Sequence, residues 1–474
     1  MSLQKLIPSH TKTADFEYDV FELDGFHFVF DPHSLSAFAI DEEVYDTLMT
    51  ASNPRAALNT LQPLYEQGFF LPEAHLGTGQ WSQGYAGITL MNTNLCNLRC
   101  PYCVMDHAQR ESQVAFMTWE KAKQSVDYLF DDFGKNATRL TISYSLTGEP
   151  LLNLPLMEQV AEYVRAKEKV DGRYCQLYFS TNGTLVNTQV IEFIRRYQVL
   201  VNVSIDGSML SHNNLRFFTN GKGSYDAAVE GSKFLLSQPD IKVTCSPTLT
   251  AQNYNVREIF EAVWNLGFRV IAMKPVRGER EKSFTFNETS VQKLQESYLE
   301  FARWLLSLSN DNELFQRLCS LVPPSNDYFG RMIGKVYLQT RDLYRCEAGK
   351  TDIAIDADGQ IYSCFSVVSS HEMKLGHIDA PSTELQRSSF WAMGVDQRSP
   401  CKNCLARYTC GGGCACTAFQ AHHDYFTPDP IDCAIQIFLT RLAVYTVARL
   451  QTERPVLYQR LYKHMWNSLQ KLTN

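Results

Sequence analysis

The chain has 474 residues, 45% of them hydrophobic and 20% charged, a composition that supports a sizeable core and excludes disorder over most of its length. Lys plus Arg number 44 against 51 Asp plus Glu, a formal charge of −7. That balance is too acidic for a protein that tracks a phosphate backbone, so no nucleic-acid partner is expected.

Residues 1–16 lack the apolar core of a signal peptide. Residues 16–23, 27–31 and 37–40 alternate apolar and polar positions as short strands, with Asp24-Gly25 and Pro32-His33-Ser34 as turns. Asp41 caps a helix that runs through Met49, and a second helix starts near Pro54 and reaches about Gln67, with a kink at Pro63. These predict a small α+β module over 1–84. From residue 85 onward, β-rich runs at 88–91, 140–144, 176–180, 199–204, 242–248 and 270–273 alternate with helical segments such as 118–133, 156–168 and 255–266. Six βα units predict an α/β domain over 85–330, either doubly wound or a partial barrel, with its chemistry at the C-terminal strand ends. A helix over 291–308 leads out of the sheet. Cysteines then crowd between Cys346 and Cys433 in Gly-rich, turn-rich sequence, predicting a metal-organised domain over 331–434. A helical segment over 435–474 closes the chain. Its oiliest part, 434–450, is interrupted by Arg441 and Arg449, so no membrane partner is expected and the chain reads as cytoplasmic. Fourteen cysteines in a reducing compartment read as metal ligands or redox groups rather than disulfides.

Directly after the first strand, Cys96, Cys100 and Cys103 stand in a C-x3-C-x2-C loop. Three thiolates on one short loop suit three corners of a 4Fe-4S cubane, leaving the fourth iron without a protein ligand. Structural zinc calls for four closed ligands, and no nearby His or Cys completes such a set at a usual spacing. The loop resembles the signature of the radical S-adenosylmethionine (SAM) enzymes, with Tyr102 at their aromatic position beside the adenine. The resemblance implies a partial (β/α)6 TIM-like barrel, whose open iron chelates SAM and whose electron cleaves it to a 5'-deoxyadenosyl radical. Thr147-Gly148-Glu149-Pro150 is similar to the family's Gly-Gly-Glu-Pro motif, which receives the SAM ammonium, with Thr147 departing from the usual Gly. The segment of Ser180 and Asn182 resembles the ribose-contacting one. Ser204 and Asp206, with Arg216 downstream, resemble a segment whose Arg pairs with the SAM carboxylate. A carboxylate for an ammonium and a guanidinium for a carboxylate are the charge partners an amino-acid head group requires.

The second set of cysteines has a more specific spacing. Cys346 and Cys364 precede Cys401, Cys404, Cys410 and Cys414 in a C-x2-C-x5-C-x3-C run, and Cys433 follows. The seven resemble the SPASM domain of radical SAM enzymes that modify peptides and proteins. That resemblance implies one auxiliary 4Fe-4S cluster on Cys401, Cys404, Cys410 and Cys433, and three corners of another on Cys346, Cys364 and Cys414, for three clusters in all. The fourth position of the latter is open, or taken by Cys416 or an oxygen or nitrogen group; a separation of two residues from Cys414 speaks against Cys416. Cys175, Cys245 and Cys319 carry no motif and read as buried packing.

The N-terminal module resembles the PqqD-like recognition element, a winged-helix-like module that binds leader peptides by adding a strand to a sheet edge. Together the resemblances imply a radical SAM oxidoreductase that takes hydrogen from a core residue of a ribosomally synthesised (RiPP) precursor peptide. It would then close an intramolecular thioether, carbon-carbon or ether crosslink. The implied partners are that peptide and an electron donor such as flavodoxin or ferredoxin. The rivals are an anaerobic sulfatase-maturing enzyme that forms formylglycine, and a non-catalytic iron-sulfur electron carrier. His212, Asp206 and Glu279 are available as proton acceptors, and no spacing selects among them.

Overall fold

Alternating aromatic and polar positions set the N-terminal strands. In a computed structural model that describes residues 11–12, 17–50, 84–103, 116–144, 148–277, 282–368, 373–381 and 393–473, β1 (Thr11–Lys12), β2 (Glu17–Leu23), β3 (Phe26–Phe30) and β4 (Ala37–Ile40) form an antiparallel meander in chain order. Asp24 and Gly25, at φ 59° and 73°, make the two-residue hairpin turn between β2 and β3, where both central positions need positive φ. Asp41 starts α1 (Glu42–Thr50) by accepting the Val44 N–H at 2.8 Å. The helix expected over 54–67 lies outside the described residues. Tyr18, Val29 and Leu48 build a small core under α1, whereas Phe21, Phe28 and Phe30 belong to the main core of the protein.

The central sheet begins with β5 (Tyr85–Leu90), followed by α2 (Trp119–Tyr128), β6 (Arg139–Tyr144), α3 (Leu154–Asp171), β7 (Cys175–Thr181), α4 (Thr188–Tyr197), β8 (Leu200–Val203), α5 (Met209–Leu215), α6 (Tyr225–Leu236) and β9 (Val243–Cys245). β5 to β9 are parallel and adjacent in order, the arrangement that helical crossovers impose. α4 shows why they pack: Val190, Ile191, Ile194 and Tyr197 fall on one buried stripe. The sixth unit differs from the expected strand over 270–273. Ile271 makes only an isolated bridge to Cys245, and regular pairing resumes between β10 (Thr248–Leu249) and β11 (Lys274–Pro275), with α7 (Val256–Asn265) between them. Pro247 has no N–H to give to the ladder, so the pairing breaks into two pieces there.

After α8 (Glu288–Ser307), α9 (Asp311–Leu321) and α10 (Tyr328–Leu338), the chain returns as β12 (Asp352–Ile355), parallel to β5. Then β13 (Gln360–Tyr362), β14 (Lys374–His377) and β15 (Ala380–Pro381) extend the same sheet antiparallel, giving nine strands in mixed directions. The cysteine-rich region is thus joined to the central sheet by its own strands. It continues through α11 (Arg407–Cys410) and α12 (Ala415–His422) into α13 (Pro430–Glu453) and α14 (Pro455–Thr473). α13 starts five residues before the predicted 435, because Asp429 caps it and Pro430 occupies its first turn. By length and composition α13 could cross a membrane, but 78% of its most apolar stretch is buried inside the fold, against α8, α10 and β4. Its Arg441 makes a two-pronged pair with the buried Asp19, both contacts at 2.7 Å, and its Tyr445 packs on Phe28 with ring centroids 5.8 Å apart. The N-terminal sheet is held to the body through this helix.

Candidate active site

The loop after β5 is clamped from both sides. Arg99 N donates to Phe217 O at 2.8 Å, Thr219 N to Asn97 O at 3.1 Å, and Glu149 N to Leu95 O at 2.8 Å. Cys96, Cys100 and Cys103 come together there with Leu98, Tyr102, Leu215 and Val276. Burial pushes the Cys100 thiol up to about 12, with Cys103 and Cys96 adding to the rise and Arg216 opposing it. Gly148 lies so close beneath this loop that a Cβ there would stand 2.3 Å from Leu95 O.

The buried carboxylate of Glu149 links two strand ends to the loop. Its Oε1 accepts from Thr181 Oγ1 at 2.7 Å and Leu151 N at 3.3 Å, and its Oε2 accepts Asn182 N at 2.7 Å. Burial raises its pKa to about 7 despite these donors. Oε2, with a single donor, retains acceptor capacity. Asn182 also reaches Asn97 Oδ1 at 2.8 Å, and Asn97 reaches Thr184 Oγ1 at 2.8 Å. Thr147 lies outside the described residues.

Tyr102, Asp206 and Arg216 form one buried group. The Tyr102 hydroxyl donates to Asp206 Oδ2, and Arg216 Nη1 donates to that hydroxyl at 2.6 Å. Burial raises the Asp206 pKa, with Arg216 opposing. Arg216 Nε is buried without a hydrogen-bond partner among the described residues, a vacant donor of the kind a carboxylate would meet. Asp206 and His212 were both available as proton acceptors by sequence, but their polar atoms are engaged in holding the loop. Asp206 Oδ1 accepts Thr248 N at 2.9 Å, His212 Nδ1 faces Asp206 N at 3.4 Å, and His212 Nε2 lies 3.0 Å from Ser224 Oγ. Burial, seconded by Arg216, drives His212 down to about 3, so it stays neutral. Glu279 lies outside the described residues.

Ser180 takes part in a polar ladder across three strand ends. Asn202 Nδ2 donates to Ser180 Oγ at 2.8 Å, while Asn202 Oδ1 accepts from Thr244 and Ser246, both at 2.9 Å. Ser204 N is bonded to Thr181 O at 3.0 Å. Asn202 and Thr244 were missed by motif reading. The signal was there, since Asn202 is a polar residue inside the otherwise apolar run Leu200–Val203, where a buried amide has to find partners.

The downstream cysteines fall into two sets. Cys433 lies within electrostatic reach of Cys410, Cys404 and Cys401, and Cys346 within reach of Cys414 and Cys364. Cys410 and Cys414 join different sets although four residues apart, because Gly411, Gly412 and Gly413 all take positive φ (75°, 89° and 74°), a run that side chains other than glycine rarely adopt. Among the described residues no three Cys, His, Asp or Glu side chains converge on a single ion; a cubane does not ask for that, since each cysteine binds its own iron. The donor chemistry of both sets, thiols alone, fits such clusters. Cys175 and Cys245 are buried in the core as packing residues, and Cys319 packs on it half-buried.

Three cations occupy the space between the sets. Arg277 lies beside Cys414 and contacts the Tyr328 hydroxyl at 3.3 Å, and Arg345 stacks on the Tyr328 ring at 4.6 Å within reach of Cys410. Burial and these two guanidiniums lower Lys274 to about 8. An open pocket adjoins Arg277, lined among others by Val276, Arg277, Tyr328, Thr417 and Asp432. Val276 also packs against the Cys96–Cys103 loop, so the pocket shares one wall with the first cysteine group.

Residues 92–261 match the family model of the radical SAM superfamily. This stretch of the chain is a radical SAM domain. The superfamily is enzymatic and binds SAM and a 4Fe-4S cluster. The chain is 24% identical over 337 residues to the cysteine-type anaerobic sulfatase-maturating enzyme of Clostridium novyi (strain NT), covering 67% of this chain and 84% of that protein. It is 22% identical over 298 residues to the antilisterial bacteriocin subtilosin biosynthesis protein AlbA of Bacillus subtilis (strain 168), covering 62% of this chain and 57% of AlbA. In fold it matches the solved structure of native anSMEcpe with bound AdoMet, at a TM-score of 0.61 and 16% identity, over 79% of this chain and 99% of that one.

Proposed function

We propose that this radical SAM protein is a peptide maturase that closes an intramolecular thioether, carbon-carbon or ether crosslink in a ribosomally synthesised precursor peptide. The observation that carries the reading is the N-terminal sheet, docked through Asp19–Arg441 and Phe28–Tyr445 onto the helix that starts at the pocket. β1 pairs only with Glu17 and Tyr18 of β2. From Asp19 to Leu23 the outer edge of β2 therefore has no strand partner among the described residues, the feature to which an extended leader adds. Relatives of both kinds, a bacteriocin biosynthesis protein and a sulfatase-maturating enzyme, support a protein or peptide substrate.

In this proposal Cys96, Cys100 and Cys103 hold the SAM-binding cluster. Cys401, Cys404, Cys410 and Cys433 hold one auxiliary cluster, and Cys346, Cys364 and Cys414 hold three corners of the other. Cluster and SAM, when bound, supply the one-electron chemistry that removes a hydrogen atom from an unactivated carbon. Arg216 offers its unpartnered Nε to the SAM carboxylate, and Glu149 keeps acceptor capacity for the ammonium. Tyr102 and Asp206 hold the Arg216 guanidinium in place, and Gly148 lets the cysteine loop lie against the strand ends. Asn202 fixes the hydroxyl of Ser180 beside the proposed ribose position. Arg277 brings positive charge to the pocket where the peptide would lie, and the pocket's apolar walls limit water around the reacting carbon. The chain would work in the cytoplasm with a flavodoxin or ferredoxin as electron donor.

The test is coexpression with short open reading frames from the neighbouring genome, followed by mass spectrometry of the peptides. Loss of two hydrogens, mapped to a new link between residues, is the expected result. Conversion of a Cys or Ser to formylglycine in a sulfatase-derived peptide, with no change in any precursor, would replace the proposal with the sulfatase-maturing reading. Absence of 5'-deoxyadenosine from the reduced protein with SAM would leave an electron carrier.

A further inference from the structure

The sequence supplies three thiols for the auxiliary cluster on Cys346, Cys364 and Cys414, and the spacing argues against Cys416 as the fourth. In a continuous helix residues two apart point to nearly opposite sides, about 200° around the axis. The structure removes that objection. Cys414 is not helical: it is the N-cap of α12, with extended backbone at φ −82° and ψ 116°, and Cys416 lies in the first turn that follows. An N-cap side chain folds back over this first turn, so both thiols face the same space. The Cys416 side chain packs with those of Cys364 and Cys414. The three share one buried cluster with Val367, Met373 and Phe419.

Simple packing does not account for this position. Cys175 lies among core side chains, and Cys245 gives its thiol to a backbone carbonyl, Ile205 O, at 3.8 Å. Cys416 instead packs against two other cysteines.

We propose that Cys416 is the fourth ligand of the auxiliary cluster held by Cys346, Cys364 and Cys414, so that no iron of this cluster is free to bind substrate. The inference rests on the reading that these cysteines hold a cluster, and it assigns that cluster to electron transfer. Cys416 loses its thiol proton on binding iron, as the other three cysteines do.

The test uses full-length protein with Cys96, Cys100 and Cys103 replaced by Ala, reconstituted anaerobically, in which about eight irons in two auxiliary clusters are expected. Cyanide added to this parent is expected to leave its electron paramagnetic resonance spectrum unchanged, because no iron is open. Cys416→Ala is expected to lose between one and four irons, or to gain a spectrum that exogenous 2-mercaptoethanol shifts. Cys416→Ser is expected to keep its iron with altered g-values, which guards against misfolding as the cause of loss. A cyanide-induced shift in the parent, or unchanged iron and spectrum in Cys416→Ala, overturns the inference while the auxiliary clusters stand. A parent that binds no iron overturns the auxiliary-cluster reading and the inference with it.

Discussion

Replacing Glu149 by Gln should separate what this residue costs the fold from what it gives the site. The carboxyl is 1% exposed, and burial raises its pKa from the ordinary 4.5 to about 7. A raised acid pKa means the folded protein binds a proton that the unfolded chain has already lost. Wild-type stability must therefore fall as pH climbs from about 4.5 to about 7 and level off above that. At ~1.4 kcal/mol per pH unit the gap amounts to about 3 kcal/mol. Gln does not titrate, but its amide nitrogen replaces one of the two accepting oxygens with a donor that faces a backbone N–H, so the variant should lie ~1–3 kcal/mol below the wild type near pH 5 and regain about 3 kcal/mol relative to it by pH 8. With an unfolding entropy of ~2.1 cal/mol/K per residue, this corresponds to about 3 °C in Tm for a chain of this length. The assay is anaerobic thermal unfolding of cluster-free, SAM-free protein at both pH values; comparing variant with wild type cancels the other titrating groups. Binding should change the opposite way. Loss of a charged acceptor costs ~1.5–3 kcal/mol, roughly 10- to 150-fold in SAM affinity, measured by calorimetry on reconstituted protein. Parallel pH profiles for the two proteins would refute the burial argument.

Three further perturbations address other parts of the molecule. Replacing Cys96, Cys100 and Cys103 together by Ala should remove about one third of the iron and all formation of 5'-deoxyadenosine; retained cleavage would sink the assignment of the SAM-binding cluster. Gly148→Ala puts a Cβ 2.3 Å from Leu95 O, so it should displace the cysteine loop and deplete that cluster while auxiliary iron remains, and full iron content would show that the loop yields freely. Arg441→Met leaves the Asp19 carboxylate, 1% exposed, buried without its cation, at a cost of ~3–5 kcal/mol in denaturant unfolding; Asp19→Asn in the same chain should recover part of it, and a loss below about 1 kcal/mol would show the pair to be solvated.

Much of the architecture was legible because it rests on local periodicity. The strands and helices from Tyr85 to Asn265 fall close to their predicted positions, since their apolar residues repeat at two or at three to four positions. The helix start at Asp41 was legible for the same kind of reason, a capping carboxylate in front of a periodic run. Spacing also singled out the cysteines, because several thiols on short loops leave a mark that a single residue does not. Pairing between distant segments leaves no such mark. Nothing local indicates that β12 lies parallel to β5, or that Asp19 meets Arg441 across 422 positions.

The amino-acid sequence by itself determined the elements and the chemical inventory: the βα alternation, the thiols, a carboxylate and a guanidinium at successive strand ends. The tertiary structure alone decided what these groups face. It turned Arg216, as a type usually solvated, into a buried donor beside Tyr102 and Asp206, and it spent His212 on holding a loop. It also brought Cys416 against Cys364 and Cys414 at a turn between extended chain and helix. The physical reason is range: periodicity and capping act within a turn or two of one segment, whereas burial, charge pairing and ligand geometry depend on which segments the packed core brings together.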